Sequence, residues 1–335
     1  MALFISVLLT LFLIFIHQKY KFGADFISSR KVHNVSTSRL GGIAVASSFL
    51  ISIFLEPKLI LFDVYTNLIL ICFFIFALIE DIKGILKPSF RLLAIIVCSF
   101  LLVLELDLGI SNLGVPLLDL FLENLIMSIL FSTISLSLLA NGFNLIDGFN
   151  GLVAGFSIMV LSILMMIAKE VSEPEIYFLS NILLMSVLGF FVLNFPFGKI
   201  FLGDTGAYFL GLTAGVLALL LAQTTETISY WFVLALFIYP VYELVFSMIR
   251  RKINDKTKTS QADDLHLHHL IYRKVVNCSY LPRKEFCNSA TSIIMILLAS
   301  SSVLPAYIWA DSPVVLFSIC IIFMAIYTSI FLKLR

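Results

Sequence analysis

Charge is scarce in this chain. Only 13% of its 335 residues are Asp, Glu, Lys or Arg, and 60% are hydrophobic; mean hydropathy is +1.06. A soluble domain carries about 25% charged residues, so the deficit excludes an ordinary soluble enzyme and points to a polytopic membrane protein. A polar stretch long enough for a separate soluble domain is also missing; the longest runs from about Arg250 to Asn288. The five cysteines include no CxxC pair, which predicts free thiols rather than a disulfide framework. Internal repeats and low-complexity tracts are absent. So are GxxxxGK[ST], GxGxxG and a nucleophile elbow, which leaves no P-loop, dinucleotide or serine-hydrolase signature. The first apolar run has no basic residues before it and several after it, as expected of a retained span rather than a cleaved signal peptide. A net charge of +1 gives no reason to expect a nucleic-acid partner.

What is present is a series of apolar runs. A membrane-crossing helix needs about 20 apolar residues, and eleven candidates lie at roughly 1–17, 41–56, 59–79, 92–108, 122–140, 151–168, 176–194, 205–223, 229–249, 289–309 and 312–332. Basic residues are retained in cytoplasmic loops. With the N-terminus outside, 20 of the 22 Lys and Arg fall inside, and only Lys58 and Lys169 fall outside. The expected fold is therefore all-α, about eleven transmembrane helices in one domain over residues 1–335, with a cytoplasmic C-terminus. Its cytoplasmic loops are expected at about 18–40, 80–91, 141–150, 195–204 and 250–288.

The polar side chains of interest gather in those loops. The first carries Arg30, Lys31, His33 and Arg39 ahead of Gly41-Gly42. Cationic anchors with glycines for close helix packing, or a phosphate contact, both fit. In the second, Glu80 and Asp81 are adjacent, with Lys83, Lys87 and Arg91 nearby. Plain salt bridges, a divalent cation or proton transfer would each account for carboxylates at a membrane boundary. In the third, "NGFNLIDGFNGL", Asn141, Asn144, Asp147 and Asn150 recur every third residue, a polar stripe if helical. Glycines at 142, 148 and 151 predict a break near 148. One carboxylate among amide oxygens makes a hard-oxygen site of the kind that suits magnesium rather than zinc. In the fourth, "NFPFGKIFLGDTGAYFLG", Asp204 precedes the next span and Lys199 lies just upstream, so a carboxylate and a helix start, which attracts phosphate, aim at one point. In the fifth, "QADDLHLHHLIYRK", Asp263, Asp264, His266, His268 and His269 crowd together. The H-x-H-H spacing has no Cys partner and no HExxH, so imidazoles donating to phosphate or sugar oxygens fit better than zinc.

Carboxylates, cations and imidazoles at one membrane face suit the joining of a phosphorylated lipid to a nucleotide-linked phosphate. Unit charges 4 Å apart repel by about 1 kcal/mol in water and about 4 kcal/mol at an effective dielectric of 20, and two dianions raise this about fourfold. A metal ion with basic side chains relieves that repulsion, so positioning and electrostatics supply most of the catalysis.

In this order, Gly41-Gly42, Glu80-Asp81 with Arg91, "NGFNLIDGFNGL", "FPFGKIFLGDTGAYFLG" and "DDLHLHH" resemble the polyprenyl-phosphate N-acetylhexosamine-1-phosphate transferase family from about residue 30 to 275. The resemblance implies magnesium-dependent transfer, with manganese as a substitute, of a HexNAc-1-phosphate from a UDP-sugar to undecaprenyl phosphate, with release of UMP. It implies a bacterial inner-membrane enzyme with a cytoplasmic active site, at the first membrane step of a surface glycan such as lipopolysaccharide O-antigen; a homodimer stays open. By position, Asp81, Glu80 and Asp147 match the catalytic acids, and Asp204 with Asp147 the metal ligands. Asn141, Asn144, Asn150, Lys199, His266, His268, His269, Arg91 and Arg39 match substrate-binding positions. Glu80 stands where the family usually has Asp, and Asn150 where many members have a second Asp. Glu243 matches an acidic position near the inner end of the ninth span, or pairs with Arg250. Within the family, the peptidoglycan translocase resembles an uninterrupted histidine triplet followed by Glu. The order His266-Leu267-His268-His269 without that Glu favours UDP-GlcNAc or a related donor. A secondary transporter would show repeats and mid-membrane breaks, and neither is visible.

Overall fold

The computed structural model describes residues 1–21, 23, 37–56, 62–84, 86–255, 265–277 and 284–335. Arg30, Lys31, His33, Asp263 and Asp264 lie outside the described residues. The described chain is helical throughout: α1 Ala2–Tyr20, α2 Gly41–Phe54, α3 Val64–Lys83, α4 Pro88–Glu105, α5 Pro116–Leu122, α6 Leu125–Ile146, α7 Leu152–Glu170, α8 Pro174–Asn194, α9 Gly203–Thr224, α10 Tyr230–Arg250, α11 Leu267–Asn277, α12 Lys284–Ile308 and α13 Pro313–Leu334. Helix starts carry local chemistry. Asp63, Asn124 and Ser229 accept first-turn N–H groups of α3, α6 and α10, and proline opens α4, α5, α8 and α13, where its missing N–H costs nothing.

Eleven of these helices stand where eleven spans are expected. Among the described residues, ten are long and apolar enough to cross a membrane. The exception is α2, whose 14 residues reach about 21 Å against a hydrocarbon core of about 30 Å. The expected loops are shorter than the polar residues suggested. Helix α3 continues through Glu80 and Asp81, α6 through Asn144, and α11 occupies part of the stretch after α10.

Helix α9 is the central pillar. Every residue from Thr205 to Ala222 is buried, packed against α2, α3, α6, α7, α8 and α10. Peripheral helices α1, α4 and α13 turn Phe4, Phe12, Phe15, Leu93, Phe100 and Ile322 outward, an apolar girdle too extensive for water and suited to lipid.

Where α9 begins it touches α2 backbone to backbone. Gly41 and Gly42 donate their N–H groups to the carbonyls of Phe201 and Leu202 at 2.9 and 2.7 Å. A Cβ on Gly42 would stand 2.3 Å from the Gly206 nitrogen. Gly203 has φ +78°, and a Cβ there would meet the Arg39 carbonyl oxygen at 2.0 Å. The glycines therefore serve close packing, and that packing carries Arg39 to the start of α9. Because only backbone opposes the added methyl, Gly42→Ala is expected to cost about 1–3 kcal/mol of stability. Gly148→Ala, whose Cβ would meet only His268 at ordinary contact distance, should leave the thermal midpoint in detergent near that of the wild type.

Candidate active site

The second and fourth motifs meet at the first turn of α9. Asp81, in the last turn of α3, accepts the backbone N–H of Asp204 at 3.2 Å and that of Thr205 at 2.8 Å, together with the Thr205 hydroxyl. It thus caps α9 from 123 residues away, satisfying donors that a helix start leaves open. The sequence aimed those N–H groups at phosphate; in the structure the carboxylate of Asp81 takes two of them. Thr205 is the residue that sequence reasoning missed here.

Asp204 faces two guanidinium groups. Arg39 Nη2 lies 3.3 Å from Oδ1 and Arg91 Nη1 3.0 Å from Oδ2. Glu80 is buried, lies 3.8 Å from Arg91 Nε and accepts the Leu86 N–H at 3.0 Å. It therefore aims Arg91 and closes the loop after α3, whereas Asp81 faces the cluster directly.

The third motif divides at the end of α6. The helix stops at Ile146 with Asp147 as its C-cap, earlier than position 148, and a turn runs to Gly151 at φ +76°. Asn150 is therefore off the stripe. Buried, it donates its backbone N–H to Asn288 Oδ1 at 2.7 Å and its side-chain amide to the Pro196 carbonyl at 3.3 Å. Asn194 continues the stitching, accepting the Gly151 N–H and donating to the Ile200 carbonyl, each at 2.7 Å. Asn141 donates back to the Ser137 carbonyl at 2.8 Å, and Asn144 stays half-buried one turn along. Asn194 and Asn288 escaped sequence reasoning, although Asn194 immediately precedes the Phe-Pro turn.

Asp147 is the acid of this motif that joins the cluster. Burial pushes its carboxyl up to about 7; Arg39 opposes the shift, and Asp204 and Asp81 add to it. Asp81, Asp147 and Asp204 therefore share one end of the bundle and feel one another's charge. Among the described residues no three His, Cys, Asp or Glu side chains form a ready metal cage. Asp147 and Asp204 nevertheless supply hard oxygen donors of the kind magnesium takes, with the arginines as the groups to be displaced. Lys199 is exposed at the rim.

The fifth motif docks on the third through aromatic rings. Phe149 packs against His268, His269 and Tyr272 with centroids 5.6, 5.5 and 5.3 Å apart, and His266 stacks on His268 at 5.4 Å. His268 is buried, and burial, followed by its two histidine neighbours, holds it well below the usual imidazole range. His268 therefore packs on Phe149 within this cluster, while half-buried His269 keeps an outward aspect. Glu243 pairs with His266, Nδ1 to Oε1 3.0 Å.

The shift at Asp147 has a pH signature. With a folded value near 7 against an ordinary 3.8, folding takes up a proton between those limits. Stability of the metal-free protein should therefore fall as pH rises from about 4 to 7 and level off above. Asp147→Asn should remove that slope and raise the melting midpoint of chelator-treated protein by about 2 °C or more at pH 8, with little change at pH 4.

The sequence matches the family described as glycosyl transferase family 4 over residues 64–222. It is 32% identical over 258 residues to a probable undecaprenyl-phosphate N-acetylglucosaminyl 1-phosphate transferase of Bacillus subtilis, covering 74% of this chain and 70% of the relative. A Thermotoga maritima undecaprenyl-phosphate alpha-N-acetylglucosaminyl 1-phosphate transferase is 33% identical over 138 residues, 41% of this chain and 40% of the relative. A phospho-N-acetylmuramoyl-pentapeptide-transferase of Halalkalibacterium halodurans is 26% identical over 247 residues, 70% of this chain and 74% of the relative. With its acids, arginines and glycines gathered on one helix start and the Bacillus subtilis relative covering 74% of its length, the chain belongs to glycosyl transferase family 4, the polyprenyl-phosphate N-acetylhexosamine-1-phosphate transferases.

Proposed function

We propose that the protein transfers N-acetylhexosamine-1-phosphate from a UDP-HexNAc, UDP-GlcNAc or a derivative, to undecaprenyl phosphate and releases UMP. The observation that carries this reading is the convergence at α9, where Asp81, Asp147 and Asp204 stand beside Arg39 and Arg91. That arrangement accepts anions and a cation together. Over matches of similar length, the name of the Bacillus subtilis relative, 32% identical over 258 residues, supports the GlcNAc donor over the muramoyl-pentapeptide one, whose Halalkalibacterium halodurans relative is 26% identical over 247 residues.

An oxygen of the lipid phosphate attacks the β-phosphorus of the UDP-sugar. The bond from that phosphorus to the bridging oxygen breaks, and the oxygen leaves on UMP. The second pKa of a phosphate monoester is near 6, so the attacking oxygen is already ionised at neutral pH and needs no strong base. Arg39 and Arg91, freed from Asp204, bind the phosphate oxygens and hold the two anions in line. Asp147 and Asp204 would hold magnesium, which neutralises charge developing on the transferred phosphoryl group. Asp81 keeps α9 seated so that Asp204 stays in register, and His269 offers an imidazole to the nucleotide-sugar. The site faces the cytoplasm of a bacterial inner membrane, where UDP-sugars are supplied, and the product starts a surface glycan.

Membranes containing the protein should exchange labelled UMP into UDP-GlcNAc only when a divalent cation is present. A donor panel with identification of the lipid product separates GlcNAc from muramoyl-pentapeptide transfer, and exchange lost under every condition would sink the proposal. Asp81→Asn should lower the rate about 100-fold, since two charge-assisted hydrogen bonds are worth at least about 3 kcal/mol. Its pH–rate profile should keep its shape; recovery at high pH would instead make Asp81 the base.

A further inference from the structure

Glu243 lies in α10, a membrane-crossing helix, and is 1% exposed. A carboxylate there is expensive unless partners compensate it. Its partners come from the segment after α10. Oε1 accepts from His266 Nδ1 at 3.0 Å and from the backbone N–H of Leu267 at 3.3 Å. Leu267 is the first residue of α11, so Glu243 caps α11 in trans, as Asp81 caps α9.

From this geometry we infer that Glu243 is the positioning residue of the nucleotide-sugar subsite. It fixes the ring plane of His266 and seats the first turn of α11, so that α11 presents His269 to the donor in one arrangement. The inference rests on the transfer reaction proposed above. Nδ1 of His266 faces the carboxylate. Its ring lies parallel to that of His268, 8° between planes, and His268 in turn packs on Phe149. The carboxylate thereby connects α10 to the Asn-rich turn through three side chains without itself touching substrate. Arg250, the cation that sequence spacing offered as its partner, lies over the Phe331 ring at 5.5 Å.

Two measurements on the purified full-length protein test this. Amide hydrogen exchange without substrate should show the first turn of α11 exchanging at least about tenfold faster in Glu243→Ala, and close to the wild-type rate in Glu243→Gln, which keeps an acceptor oxygen. Titration with UDP-GlcNAc should show donor affinity weakened about tenfold or more in Glu243→Ala, equivalent to about 1.4 kcal/mol, while KM for undecaprenyl phosphate changes less than about twofold. The Glu243→Ala/His266→Ala double variant should bind donor no worse than His266→Ala alone, because the two residues act as one unit. Additive losses, a matching loss for the lipid substrate, or unchanged exchange in α11 would overturn the inference. If the alanine variant does not survive purification, Glu243→Asp, retracted by one methylene, must give the same one-sided loss. A wild-type protein that ignores UDP-GlcNAc overturns the functional reading instead, and the exchange result then still decides whether Glu243 seats α11.

Discussion

The site depends on one buried arrangement, a carboxylate from one helix closing the open first turn of another. A helix start leaves N–H groups that the hydrocarbon cannot satisfy. In α9 the fourth motif supplies no capping side chain of its own. Asp81 supplies it from α3, which locks two motifs far apart in the chain into one register. Asp204 is then held at the head of a helix that is buried from Thr205 to Ala222, and Arg39 and Arg91 pair with its two carboxylate oxygens. The same device recurs where Glu243 closes α11. Both caps put a negative charge to structural use beside the place where the proposed chemistry handles negative charge.

Much of this could be read in the chain beforehand. The apolar runs located eleven helices to within a few residues, because hydrocarbon thickness leaves helix length little freedom. The paired glycines at 41 and 42 announced a close approach, and Gly206 lies on the other side of it. The acids of three motifs converge because their loops alternate at one end of an antiparallel bundle, which span counting already implied.

What escaped was partnership across distance. Three-residue spacing put Asn150 on the same stripe as Asp147, but α6 ends at Ile146 and the turn swings Asn150 toward Pro196 and Asn288. Nothing local in the chain reports a partner 138 residues away. For the histidines the chain left burial open. Imidazole is amphipathic, so its presence in a polar loop does not say whether it faces water. Phe149 decided the matter by burying His268. An aromatic residue inside an otherwise polar turn was the available sign that something packs there.

The ends of α3 and α6 that face the cluster are their C-termini, where the unpaired carbonyls of each helix gather about half a negative elementary charge. Asp81 adds a carboxylate at one pole and Asp147, pushed up to about 7, a carboxyl at the other, and the compensating N-terminal pole of α9 is already engaged by Asp81. The backbone poles therefore leave Arg39 and Arg91 as the groups there that attract an anion. For the transfer proposed above, a phosphate's approach would then run by way of those two side chains, so backbone polarity narrows its route as much as the residues that later make contact.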